Sequence, residues 1–287
     1  MTASSSAPFA DAGGVPMSGL LREVPEPRAV IVALHGGAAT SGYFDSRTPR
    51  LSLLRTGAAL GFTVLALDRP GYGMSAAYPE ELGSAERRVD LAYAAVDALL
   101  GTRPRGAGLF LMAHSMGCVL AIRMAGHERG ADLLGLEIAG TGLEYQPAAA
   151  AALGARMAAG PGRSGVRDAI WGPPHLYPPG AAAGVDSPSP DYEGGEVRSW
   201  RAEFPAAAAQ VRVPVHITLG EHEQVWQAGP PALASLAALF TASPRVVAEE
   251  QPGAGHNLSL GWSALAYHLR VLAFAEECVL ARGSADS

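Results

Sequence analysis

The segment from Gly108 to Gly117 constrains this chain most. An apolar run over 109–113 leads through His114 into Ser115, and a segment of helical composition, 118–128, follows at once. A chain passing from a buried strand straight into a helix must bend tightly. The serine at such a bend takes unusual backbone angles, and the residues two before and two after it must be small. Here those residues are Ala113 and Gly117. The usual pattern is G-x-S-x-G, so Ala113 departs from it by one methyl group. An ordinary strand–helix turn can carry the same few letters, and the surrounding order of elements decides between the two readings.

That order is regular. Apolar runs at 28–34, 62–67, 109–113, 133–139, 213–219 and 246–250 read as strands, near-continuous rather than alternating, as suits strands covered on both faces. Helical spacing or composition falls between and after them at 50–60, 84–100, 118–128, 232–240 and 262–280, with Ser84 placed to cap the second helix. The alternation predicts an α/β fold with a mostly parallel sheet flanked by helices. Residues 143–212 interrupt it with alanine-rich and proline-rich stretches. A structureless loop of that length would be unusual, so the segment is expected to be a helical lid over the carboxyl ends of the strands. The expected organisation is a disordered tail over 1–16, a core from 17–142 and 213–287, and the insertion 143–212.

Composition removes several alternatives. All 21 basic residues are arginine, which excludes Schiff-base chemistry and a P-loop lysine. A net charge of −6 without a basic run argues against a nucleic-acid partner. Cys118 and Cys278 cannot form a disulfide framework. No uncharged apolar run approaches the roughly 18 residues of a membrane span, and the N-terminus lacks the pattern of a signal peptide. A cytoplasmic protein without membrane partner, metal or cofactor is the expectation.

Ser115 needs a base to attack a carbonyl, and the base needs an orienting acid. Of eight histidines, His256 is favoured because it follows the last strand in the glycine-flanked loop Gly253-Ala-Gly255-His256-Asn257. His35 and His114 sit beside motifs and are expected to hold backbone; His216 lies within a strand, His175 in the insertion, and His222 beside the acid candidates. The loop after the fifth strand offers Glu221 and Glu223. Glu223 is preferred, with Glu221 second and Glu144 behind both, while Asp68 reads as part of a locally bonded turn. Backbone N–H groups of Met116, heading the helix, and Gly37, after the first strand, are the candidate oxyanion donors.

With these segments in view the chain resembles the α/β-hydrolase superfamily over residues 20–280. The resemblance rests on His35-Gly36-Gly37, Asp68-Arg69-Pro70-Gly71-Tyr72-Gly73-Met74-Ser75, Ala113-His114-Ser115-Met116-Gly117, Gly220-Glu221-His222-Glu223 and Gly255-His256. It implies Ser115 as nucleophile, His256 as base, Glu223 as acid, and Gly37 with Met116 as the oxyanion hole. Two departures stand out: Ala113 for glycine, and Glu223 where most members have aspartate.

The expected activity is hydrolysis of an ester, lactone or thioester of a small apolar substrate, natural products included, through an acyl-enzyme. A lyase or cyclase of secondary metabolism using the same triad is the alternative, and a ligand-binding protein with a vestigial triad is the third class. A carrier-protein partner is not indicated, since neither lysine nor a compact arginine cluster is available for a phosphopantetheine or coenzyme A phosphate. Within the insertion, Trp171, Tyr177, Trp200 and Phe204 either wall an apolar pocket or hold the insertion to the body.

Overall fold

Val30–Leu34, here β3, is buried at every position. Val30, Val32 and Leu34 point into one core, Ile31 and Ala33 into another on the opposite face. A strand with apolar side chains on both faces must lie inside a sheet covered on both sides. The computed structural model describes residues 5–159 and 166–285. The remaining strands are β1 (Phe9–Asp11), β2 (Pro16–Arg22), β4 (Thr63–Leu67), β5 (Leu109–His114), β6 (Gly135–Ala139), β7 (Val215–Gly220) and β8 (Val246–Gln251). They form one sheet in the order β1-β2-β4-β3-β5-β6-β7-β8. From β4 through β3 to β8 neighbouring strands run parallel, whereas β2 pairs antiparallel with β4 and β1 with β2.

Helices α1 (Leu53–Ala59) and α8 (Ala264–Ala285) cover one face. On the other lie α2 (Ala85–Leu100), α3 (Met116–Gly126), α6 (Asp191–Ala208) and α7 (Pro230–Ala237). Between β6 and α6 the chain forms α4 (Pro147–Ala159) and α5 (Val166–Ile170). The Ser84 hydroxyl accepts the Arg87 N–H and starts α2; Ser52 does the same for α1, which begins after a 3-10 turn at Pro49–Leu51. Among the described residues, no helix is long and apolar enough to cross a membrane.

The structure differs from the sequence expectation at the carboxyl-terminal end of the insertion and at the N-terminus. Residues expected as a tail contribute β1, and Ala12 and Val15 join the core. Their alternation is short and diluted by Ser, Ala and Gly, so it carries little signal. The insertion is not one layer above the sheet. Its last helix, α6, packs on α3 and puts Trp200, Phe204 and Ala208 into the core.

From β3 the chain moves to one side, to β4, and from β5 to the other, to β6. The carboxyl ends of β3 and β5 therefore flank the point where strand order reverses. Open α/β sheets bind ligands in the crevice at such a point.

Candidate active site

Ser115 sits at this crevice with φ 51° and ψ −122°, immediately before α3. Its N–H is tied to the Ala139 carbonyl at 2.8 Å. The small neighbours are required by close packing. A Cβ on Gly117 would lie 2.3 Å from the Leu34 carbonyl oxygen, because α3 starts against the end of β3. Ala113 is fully buried on β5, where the structure accommodates its methyl group.

The loop after β8 brings His256 to the serine, with Nε2 3.2 Å from the Ser115 Oγ. On its other side, His256 Nδ1 lies 2.9 and 3.0 Å from the two Glu223 carboxylate oxygens. Glu223 also accepts the Val225 N–H at 2.7 Å, which fixes the carboxylate in the turn after β7. His256 and Glu223 are 2% and 5% exposed, so water competes little for this relay. An imidazole that donates Nδ1–H to a carboxylate keeps its Nε2 lone pair for the serine proton. The other carboxylates weighed from sequence lie elsewhere. Glu221 is exposed and accepts the Gly253 N–H at 2.8 Å. Glu144 is exposed and pairs with Arg201.

Two histidines beside the site are held neutral. Burial pushes the His35 pKa well below the usual histidine range, helped by the nearby Arg69 charge. Burial lowers that of His114 likewise, with His256 adding to the effect. His114 stacks on Tyr43 with ring centroids 4.6 Å apart, and its Nε2 donates to the His256 carbonyl oxygen at 2.8 Å. It thus anchors the backbone that carries the His256 imidazole.

Gly37 and Met116 face one another across the crevice: a Cβ on Gly37 would stand 3.3 Å from Met116 Cγ. Next to them opens a cavity of about 170 Å³ with Ser115 and His256 in its lining. Tyr43, Ile170, Trp171, Val185 and Leu260 give it an apolar wall, and the Arg167–Asp186 ion pair (3.0 Å) stands in its lining as well.

The four aromatic residues of the insertion separate into distinct roles. Trp171 lines the cavity. Tyr177 meets Trp171 edge to face at 5.4 Å, and its hydroxyl accepts the Asn257 N–H at 3.1 Å, beside His256. Trp200 and Phe204 are absent from the cavity wall. They stack on each other at 4.9 Å inside the core, because the face of α6 that carries them is turned to α3. Helical spacing identifies a buried face without saying what buries it.

Sequence reading missed the buried Arg69–Glu193 ion pair beside the His35–Gly37 loop. Arg69 stood out within the Asp68–Ser75 motif, but its partner comes from α6. The Asp68 carboxylate accepts from Ser41 N–H and Ser18 O–H, both at 2.7 Å, and holds that turn.

This sheet topology, with a serine at the strand–helix bend, is the α/β-hydrolase fold. Residues 25–166 match the family model described as serine aminopeptidase, S33. No curated protein matches the sequence. Among solved structures, the chain is similar to a highly thermostable carboxyl esterase from Bacillus coagulans, at 17% identity and TM-score 0.68, covering 97% of this chain and 99% of that one. It is also similar to proline iminopeptidase from Mycobacterium smegmatis (18% identity, TM-score 0.62, 96% and 99% covered). A third similar structure is the thioesterase domain from the curacin biosynthetic pathway (19% identity, TM-score 0.60, 94% and 99% covered).

Proposed function

We propose that the chain is a serine hydrolase that cleaves esters, lactones or thioesters of small apolar acyl groups through an acyl-enzyme. The observation that carries this reading is the buried Glu223–His256–Ser115 relay opening on a cavity of only about 170 Å³. Ser115 Oγ attacks the substrate carbonyl as its proton passes to His256 Nε2. The imidazolium is stabilised by Glu223, and the tetrahedral oxyanion by the N–H groups of Gly37 and Met116. Collapse expels the alcohol or thiol, which takes the proton from His256, and leaves Ser115 acylated. Water, deprotonated by the same imidazole, then releases the acid and restores the serine.

Ligand cavities for drug-sized molecules run to about 300–1,000 Å³, so the acyl part is short. The substrate is read as a free small molecule in the cytoplasm rather than a chain on a carrier protein. A p-nitrophenyl ester series from acetate to octanoate tests this, with proline p-nitroanilide alongside. The expected result is highest kcat/KM at acetate to butyrate and loss of turnover in Ser115→Ala. Preference for the anilide would replace the esterase reading with a peptidase one. Absence of turnover on every ester, with the cavity still binding small apolar ligands, would favour the lyase or binding-protein classes.

A further inference from the structure

The Gly36–Gly37 peptide has a feature that bears on the oxyanion hole. Its carbonyl oxygen receives two hydrogen bonds, from Arg69 Nη2 at 3.0 Å and from His35 Nδ1 at 2.8 Å. A trans peptide is planar, so its C=O and N–H point in opposite directions. Whatever holds the Gly36 oxygen therefore aims the Gly37 N–H, the group read as an oxyanion donor. A cation bonded to a carbonyl also polarises the amide and strengthens its N–H as a donor.

Arg69 does not hold this position alone. It is 1% exposed, its own N–H donates to His35 Nε2 at 3.1 Å, and its guanidinium pairs with Glu193 on the first turn of α6. Burial disfavours the Arg69 charge, but the Glu193 carboxylate, with Tyr72 and Tyr192 beside it, outweighs this and keeps the group firmly charged. The next residue of the loop is held from both sides. The Ala38 N–H donates to Tyr72 Oη and Ser189 Oγ at 3.0 and 3.1 Å, and its carbonyl accepts the Ser187 N–H at 3.0 Å. Ala38 has φ 54°, a left-handed angle that a non-glycine residue keeps only when its surroundings impose it. The helix behind this clamp is itself fixed. Tyr192 Oη donates to the Pro70 carbonyl at 2.6 Å, and Glu196 pairs with both Arg88 and Arg123.

We propose that Arg69 and Glu193 are positioning residues for catalysis: Glu193 of the insertion aims Arg69, and Arg69 sets the Gly36–Gly37 peptide so that its N–H faces the oxyanion. The insertion thereby completes the catalytic machinery instead of only covering it. This rests on the reading of Ser115 as nucleophile and goes beyond it in naming what orients one oxyanion donor.

The test compares Glu193→Gln with the paired replacement Arg69→Met/Glu193→Met, using p-nitrophenyl acetate and phenylboronic acid, which forms a tetrahedral adduct with an active serine. Removing one partner of a buried pair leaves an uncompensated charge and endangers folding, whereas replacing both by apolar residues of similar size is often neutral. The paired variant, checked for folding by circular dichroism and melting, is therefore decisive. The expected result is a 10- to 100-fold fall in kcat, KM within threefold, and boronate affinity weakened by the same factor as kcat, below the roughly 10²- to 10³-fold cost of deleting an oxyanion donor. A folded paired variant with kcat and boronate affinity within threefold of wild type would overturn the proposal and leave the ion pair a structural contact. Ser115→Ala run in parallel separates the two levels: if it turned over p-nitrophenyl acetate like wild type, the nucleophile reading itself would fall.

Discussion

Ser115 pays for its position with backbone strain. At φ 51° it lies where side-chain-bearing residues cost about 1–3 kcal/mol, and such outliers persist when the surroundings over-determine them. The surroundings here are the Ala139 carbonyl, the contact of Gly117 with β3, and the relay through His256. Within that relay Glu223→Gln keeps shape and a hydrogen-bonding group but removes the charge opposite the imidazolium. A fall of about 10³- to 10⁴-fold in kcat at neutral pH is expected, as when a triad acid becomes an amide. Glu221→Gln, on an exposed carboxylate, should cost less than about tenfold; steady-state kinetics with melting controls compare the two. Comparable losses would mean that the acid role is shared. Ser115, His256 and Glu223 were legible because each follows an apolar run that announces a strand end, and small residues mark each loop. The preference for Glu223 over Glu221 had the least sequence support, since it depends on which way a turn of a few residues faces. Arg69–Glu193 was invisible because its partners are distant in sequence.

At the scale of elements, the parallel strands were readable because both their faces are apolar, whereas the insertion was readable only in outline. Its helices α4 and α5 lead to the cavity rim through Ile170 and Trp171, but α6 belongs to the core. These two parts should respond differently to truncation. Trp200→Ala removes a 3%-exposed ring from its stack with Phe204 and should cost about 3–5 kcal/mol in urea unfolding. Trp171→Ala should leave the urea midpoint nearly unchanged and shift ester preference toward longer acyl chains, because it enlarges the cavity wall. If Trp200→Ala altered chain-length preference and Trp171→Ala did not, the assignment of the two halves would be reversed. Residues β1 contributes were missed for a different reason: three residues in a strand at a sheet edge leave too short an alternation to read.

For the whole molecule, buried histidines set the dependence of stability on acid. His35 and His114 are held well below the usual range, and burial brings His268 down to about 3. All three stay neutral in the folded protein but take up protons when unfolded below their ordinary value of 6.5. Their contribution is therefore complete above that pH and is lost as pH falls, at about 1.4 kcal/mol per pH unit for each group. His216 behaves oppositely. Burial opposes its charge, but Glu137 and Glu249 more than offset this and raise its pKa. Its stabilisation is complete below 6.5 and fades as pH rises through the raised value. Stability should thus peak close to neutrality and fall by about 4 kcal/mol per pH unit once pH drops below about 5.5. Urea unfolding from pH 8 to 4.5 measures this; a flat profile between pH 7 and 5 would show that the three histidines protonate in the folded state.

The central claim is that a relay assembled from three separate strand ends makes Ser115 nucleophilic. Treatment with a fluorophosphonate followed by peptide mass spectrometry tests it most directly, because phosphonylation requires an activated serine and leaves a covalent mark. A single adduct on the peptide containing Ser115, formed in wild type and slowed by at least about 10³-fold in His256→Ala, is the predicted result. An adduct on another residue, or equal labelling of Ser115 with and without His256, would contradict it.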